Sequence, residues 1–464
     1  MASEVAKRLR REAIARPSGS DDNFRAQRPA MHNLALGIDV GTSGVRAAAV
    51  DETGLRVAFA AVKMTVPLDR GGLVTQDPAI WWEATRRVFQ CLSREIELKR
   101  IGAIAVSGTS GTILGVHANG RPVAPAQMYN SQASAKILRR IAAVAPAETV
   151  ARGPTSALAR AIALQKEPGV TRVIHQADWI SGQFLGRFDL TDENNALKTG
   201  YDAVTRRWPN WIVKAGMRPN LLPTVVSAGT ITGRIERGRS AELGLAADVA
   251  IVAGTTDGCA AFLAAGAETC GHAVTSLGTT LVLKVLSNRA IFAPELGVYS
   301  HRIGNAWLVG GASNSGGAAI TKHFRLDRLR ELSKRMDPKV PSGLDYYPLA
   351  ARGERFPICD PHLEARLEPS VDNELVFLQA LMEGVTGVEK LGYRVIANLG
   401  GPSVTSIRTV GAGARNPAWR AIRERMLGVP LVEPADNEAA VGVAKLAQKG
   451  LSGRIAWQRQ ARLI

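Results

Sequence analysis

Apolar residues along this chain come in short blocks, and the spacing within the blocks changes from strand-like to helix-like and back. LALGIDV (34–40) reads as a buried strand, GVRAAAVDETG follows and ends in a turn, and LRVAFAAVKM supplies a third strand. Three consecutive strands joined by tight glycine turns predict a meander. In QDPAIWWEATRRVFQCLSREI, Asp77 is a good N-cap and Pro78 a good first helical residue. Ile80, Trp81, Ala84, Val88, Leu92 and Ile96 then recur at spacings of three and four, on one helix face. IGAIAVS (101–107) is a further buried strand, so this part of the chain runs β-β-β-α-β.

The second half repeats that grammar. VAIVAGTT is a strand, and HAVTSLGTTLVLKVLS reads as two strands around a glycine turn. VTSIRTVGAGA (404–414) is a strand ending in glycines, and NPAWRAIRERML (416–427) a helix with Asn416 as cap and Pro417 at its first position. VPLVEP reads as a strand, and NEAAVGVAKLAQKG as a last helix closed by Gly450. Strands alternating with helices in both halves predict an α/β architecture. The hairpin DVGTSGVRA, which begins at Asp39, is echoed about half a chain later by SLGTTLVLK, which begins at Ser276. Two similar domains, each presenting one such hairpin, would face each other across a cleft.

The bulk numbers narrow the partners. A chain of 464 residues exceeds one ordinary core, which predicts two or three domains. No apolar run reaches 18 residues and the N-terminus has no apolar signal core, so the expectation is a soluble protein with no membrane partner. The net charge of +17 raises the question of nucleic acid, but the basic residues are scattered rather than striped and aromatics are only 5%. The better expectation is no nucleic-acid partner and easy capture of small anions. Cys91, Cys259, Cys270 and Cys359 form no C-x-x-C pair, which fits a reducing compartment. Residues 1–32 lack an apolar period and read as a disordered tail or a transit segment. Their compartment would be a chloroplast stroma in a eukaryotic phototroph and the cytoplasm otherwise. Monomer and homodimer are both open.

Chemistry concentrates at the turns. A strand–Gly-Thr-Ser/Thr–strand turn exposes backbone N–H groups that bind anions, phosphates above all. Gly41, Thr42 and Ser43 form one such turn, and Gly278 and Thr279 the other. Asp39 precedes the first; a carboxylate there suits phosphate only with a cation such as Mg²⁺ between them, and a turn cap is the alternative. In IVAGTTDGCAAF, Asp257 stands at a strand-to-helix junction, where the helix dipole favours its charged form. It is therefore expected to be ionised and able to accept a hydroxyl proton, with a structural N-cap as the alternative. Gly411 and Gly413 permit close approach of a flat ligand, with Asn416 and Trp419 just after them. Core packing is the alternative for Trp419.

The order GIDVGTSGVRA, VTQDPAIWW, DWISGQFLGRFDLTDENNA, VAGTTDGCAAFLAAGA, SLGTT, VGAGARNPAW resembles the carbohydrate kinases of the FGGY type, from about residue 34 to 450. The resemblance implies two ribonuclease-H-like domains of the actin/hexokinase type around a central nucleotide and sugar cleft, here residues 33–248 and 249–455. VIHQADW, VYSHRIGNAWLVGGASNSGGA, DYYPL and GERFPICDP look like the plant and cyanobacterial D-ribulose kinases, also called xylulose-kinase-like proteins. That likeness implies phosphorylation of D-ribulose at O5 with ATP and Mg²⁺. It gives Asp257 the role of catalytic base and Asp39 the metal and phosphate side. Thr42 and Thr279 become phosphate contacts, Ser110 a sugar contact, and Gly413, Asn416 and Trp419 the adenosine side. D-xylulose or another polyol as acceptor is the alternative, and a non-catalytic ATP-binding scaffold or sensor the other. The chain departs from the wider family in having Gly108-Thr109-Ser110-Gly111 where Gly-Gln-Met-His is usual, and MYNSQAS (128–134) where Trp-x-Asp-x-Arg is usual. Within the closer group, Ser107 stands in place of an Asp and Ala412 in place of a Gly.

Overall fold

The computed structural model describes residues 32–452. The expectation for the N-terminal segment 1–32 therefore falls, His32 apart, outside the described residues. Two six-stranded sheets dominate. The first contains β1 (Leu34–Val40), β2 (Gly44–Val50), β3 (Arg56–Lys63), β4 (Ile101–Gly108), β5 (Ile231–Arg234) and β6 (Ala250–Thr256), in the order β5-β6-β4-β1-β2-β3. β1, β2 and β3 form the antiparallel meander that the glycine turns predict, and β4 and β6 add to it in parallel. Every residue of β1, β4 and β6 is buried, as expected of strands covered on both faces.

α1 (Pro78–Leu92) packs its apolar face on this sheet, with Trp81, Val88 and Leu92 fully enclosed. Asp77 caps it by accepting from the Ala79 N–H at 2.9 Å. The predicted stripe is trimmed at both ends: Ile80 is half-buried, and Ile96 lies beyond the last helical residue. α2 (Asp257–Ala265) follows β6 directly and ends at Gly266, which adopts φ 75°.

The second sheet repeats the plan. β7 (His272–Leu277) and β8 (Leu281–Ser287) form the predicted hairpin, and β9 (Tyr299–Ile303) and β10 (Ala306–Ser313) extend it. After the long α3 (Glu374–Asn398), β11 (Ser406–Val410) pairs parallel with β7. α4 (Pro417–Leu427) leads to β12 (Leu431–Val432), only two residues of the expected VPLVEP strand. The order is β9-β10-β8-β7-β11-β12, so each sheet has an antiparallel hairpin at its centre and parallel strands on one side. This is the expected α/β pair of ribonuclease-H-like domains.

Two sequence expectations are corrected. The division between residues 248 and 249 would cut the first sheet, because β6 pairs with β4 and carries Asp257 at its end. The last helix, α5 (Ala439–Ser452), runs past Gly450 instead of stopping there. A Cβ at Gly450 would lie 2.6 Å from Val252 Cγ2, so the glycine serves close packing and not termination. α5 returns to the first domain and lies between β1 and α2. Its fit there depends on missing side chains: a Cβ on Gly37 would meet Ala440 O at 2.0 Å, and one on Gly442 would meet Ala260 O at 1.8 Å. Gly442→Ala is accordingly expected to destabilise the fold by about 3 kcal/mol, at the upper end for overpacking, read from urea denaturation.

The second domain's core encloses an ion pair. Arg423 on α4 donates to both oxygens of Glu389 on α3, at 2.8 and 2.7 Å, and both side chains are at most 2% exposed. Arg423 also donates to Thr409 Oγ1 at 2.6 Å, and Thr275 Oγ1 donates to Glu389.

Candidate active site

Each sheet ends its central hairpin in an open turn. In the first, the Gly41 N–H donates to Gly44 O at 3.0 Å and leaves Thr42 and Ser43 at the tip. In the second, Gly278 N donates to Thr280 O at 3.1 Å and Thr279 is exposed. The second tip is braced from behind: Gly317 N donates to Gly278 O at 2.8 Å and Ala318 N to Thr279 O at 3.0 Å. That brace is anchored by buried Glu354, whose oxygens accept from Ser313 Oγ and the Asn314 N–H, each at 2.6 Å, and from Tyr347 OH at 3.0 Å.

The turn after β11 lies against the same hairpin. Gly411 has φ 93°, and a Cβ there would sit 2.8 Å from Leu277 O; a Cβ on Gly413 would sit 2.6 Å from Leu277 Cγ. The structure thus brings Gly278, Gly411 and Gly413 together. Asn416 is used at both ends of its amide, accepting from Trp419 N at 3.2 Å and donating to Ser333 Oγ at 2.9 Å. Trp419 is 4% exposed and donates its indole N–H to Thr386 Oγ1, so it takes the core-packing alternative.

Asp39 is the last residue but one of β1 and is buried, 6% exposed. Ser107 donates to Asp39 Oδ1 at 2.9 Å, and Arg46 Nη1 lies 3.9 Å from Oδ2. Burial first, and then the charge of Asp257, push the Asp39 carboxyl up to about 6; Ser107 and Arg46 oppose that shift. A raised carboxyl pKa favours the folded state below its unfolded value, and the benefit is lost as pH rises through about 6. Asp39→Asn should therefore raise the melting temperature of the metal-free protein at pH 8 and leave it nearly unchanged at pH 4. The expected gain is on the order of 3 kcal/mol, checked by thermal unfolding in chelator.

Asp257 is the first residue of α2 and is half-buried, with Oδ1 accepting the Gly258 N–H at 2.7 Å. The dipole argument anticipated a carboxyl held ionised. Desolvation dominates instead and pushes it up, against the Gly258 N–H and the charges of Lys284 and Lys198. Asp257 and Ser110 line one cavity of about 390 Å³, whose far wall is the face of the second sheet, from Ser276 and Val282 to Lys284, Tyr299 and His301. Ser110 Oγ is buried there without a hydrogen-bond partner. Asn194 ties the two walls together. Its Nδ2 donates to Thr255 Oγ1 at 3.0 Å and to Arg302 O at 2.8 Å, and its Oδ1 accepts from Arg302 N at 2.8 Å.

Sequence reasoning missed Lys284, His301, Tyr299 and Asn194. One signal was present: Lys284 interrupts the otherwise apolar strand LVLKVLS, and a buried lysine needs a reason.

Glycine turns repeated on twin domains, with Asp257 at a helix start on the wall of a cavity lined from both sheets, suit phosphoryl transfer. The comparisons agree. Residues 34–264 match the N-terminal domain, and residues 273–450 the C-terminal domain, of the FGGY family of carbohydrate kinases. The chain belongs to that family and is an ATP-dependent carbohydrate kinase. The first match ends inside α2, which agrees with the domain junction seen in the sheets. A xylulose kinase of Escherichia coli is 26% identical over 438 residues, covering 89% of this chain and 90% of that protein. An erythritol kinase of Brucella abortus is 24% identical over 460 residues, covering 89% and 87%. Among solved structures, a gluconate kinase from Lactobacillus acidophilus shares the fold with a TM-score of 0.82 at 17% identity, covering 92% of each chain. Among the described residues no helix is long and apolar enough to cross a membrane.

Proposed function

We propose that this kinase phosphorylates a pentulose, D-ribulose to D-ribulose 5-phosphate, with Asp257 accepting the proton of the attacking hydroxyl. The observation that carries the reading is the position of Asp257: first residue of α2, half-buried, on the wall of a cavity it shares with the unpartnered Ser110 Oγ. A proton acceptor must lie within reach of the hydroxyl it serves, and a desolvated carboxylate has a pKa closer to the working range. Ser110 is the group left to bind another sugar hydroxyl. Thr42, Ser43 and Thr279 at the two tips would bind the phosphates, since the N–H groups of Gly41 and Gly278 already donate within their own turns. The turn at Gly411 and Gly413 lies against the second hairpin and is assigned to the adenosine side.

The residues fit Mg²⁺ carried by the triphosphate. Among the described residues there is no cluster of three or more metal ligands, whereas Asp39 is a buried carboxylate whose proton affinity is raised partly by its like-charged neighbour Asp257. Mg²⁺ is ordinarily held by one or two carboxylates with waters and substrate phosphates, and Asp39 is the residue that would hold it. Bound there, it would neutralise phosphate charge during transfer.

D-Xylulose is the second reading, favoured by the likeness to the xylulose kinase of E. coli. A non-catalytic scaffold is disfavoured because both Asp39 and Asp257 are present. ADP release with ATP and D-ribulose, D-xylulose, ribitol or glycerol tests all three. Turnover is expected to be highest with D-ribulose; a rate no higher than the bare ATPase rate on every acceptor overturns the proposal.

A further inference from the structure

The cavity beside Asp257 has a second polar wall, contributed by the other domain. Lys284 on β8 is 8% exposed and His301 on β9 is 3% exposed, and both line the cavity. Lys284 Nζ lies 3.1 Å from His301 Nδ1. An ammonium has donors only, so the ring nitrogen facing it must be the acceptor. Burial and the neighbouring lysine charges hold the His301 pKa well below its usual value, which keeps the ring neutral. The ring proton is then on Nε2, a buried atom with no hydrogen-bond partner. Gly258 makes room for this arrangement: a Cβ there would sit 3.3 Å from Lys284 Cε.

Taken together, these two side chains offer N–H donors and no acceptor: the remaining hydrogens of Lys284 Nζ and the Nε2–H of His301. A hydroxyl satisfies such a site only by leaving its own hydrogen to find another partner. An oxygen without hydrogen, in a ketone carbonyl or a carboxylate, satisfies it fully. We infer that Lys284 and His301 are acceptor-specificity residues, which bind a hydrogen-free oxygen of the substrate and so select a ketose over the corresponding polyol. This rests on the kinase reading above and deepens it. The recognition is neither by shape nor by the base, and it comes from the domain opposite Ser110.

The test compares parent, K284M and H301Q on the better of the two pentuloses and on its polyol, ribitol or xylitol, with the KM for ATP measured alongside. Methionine keeps the length of Lys284 without its donors, and H301Q keeps a polar group should K284M unfold; thermal unfolding of both variants reports the fold. The parent should prefer the pentulose. K284M should lower kcat/KM for the pentulose by about 10- to 100-fold more than for the polyol, the differential loss expected for one hydrogen bond to a charged group, with the KM for ATP nearly unchanged. D-Ribonate separates the two sources of the oxygen. Inhibition by it that exceeds inhibition by ribitol and disappears in K284M supports the same donor-only pair with a carboxylate as its ligand. An equal loss on pentulose and polyol, an unchanged ratio, or a raised KM for ATP with the ratio preserved overturns the inference. A parent inactive on every acceptor defeats the kinase reading itself, a different outcome from an active parent whose ratio K284M leaves intact.

Discussion

Asp257→Asn is expected to lower kcat for phosphorylation of the sugar acceptor by about 10²- to 10⁴-fold, the usual contribution of a positioned proton acceptor, with the KM for ATP close to that of the parent. Asparagine keeps the size of the side chain and can still accept the Gly258 N–H at the start of α2, so fold and cap survive. What is lost is the ability to take up a proton. In the proposed role the group acts on the acceptor hydroxyl and not on the nucleotide, so the loss belongs in kcat and not in ATP binding. Steady-state kinetics with both substrates varied, beside a melting curve, decides it. Full activity in the variant would return Asp257 to the role of a helix-terminal acid.

The second large effect is on stability. Glu389→Ala should cost about 3–5 kcal/mol, because it leaves the Arg423 guanidinium enclosed in the second domain's core without its counter-ion. Arg423 would keep only Thr409 Oγ1 among its stated partners. The double variant E389M/R423M should recover most of that loss, since two apolar side chains of similar volume need no pairing. Urea denaturation of the three proteins measures it; a single variant as stable as the parent would contradict the burial assigned to the pair. Thr409 ends only two residues before Gly411, so the single variant should also raise the KM for ATP.

Much of the architecture was legible because its signals are local. The meander 34–63, the capped helix at Asp77 and the hairpin around Gly278 each carry their own turn or period within a dozen residues. The junction between domains was not legible in the same way. β6 belongs to the first sheet through its pairing with β4, far back in the sequence, and no local pattern records that partnership. Gly450 misled for a related reason: a glycine near a helix end looks like a stop, whereas its purpose is to clear Val252. At the site, the hairpin glycines and the two aspartates could be found from motif order. Trp419 could be read as a ligand contact or as core, and only burial decides. Lys284 and His301 became a pair only when β8 and β9 were brought to the same face, which composition and spacing do not encode.

The return of α5 to β1 has a consequence for how the chain is made. The helix that completes the first domain leaves the ribosome long after the strand it covers. Vectorial synthesis cannot therefore finish the N-terminal half and move on; Gly37 and the alanines around it wait, uncovered, through the synthesis of everything between. The second domain is enclosed between these two segments and can close its own sheet earlier. Such distant closure raises contact order and slows folding. A nascent chain stalled before residue 439 should show a protease-resistant second domain beside a first domain that is still cleaved, with protection of the first arriving only when the final helix emerges.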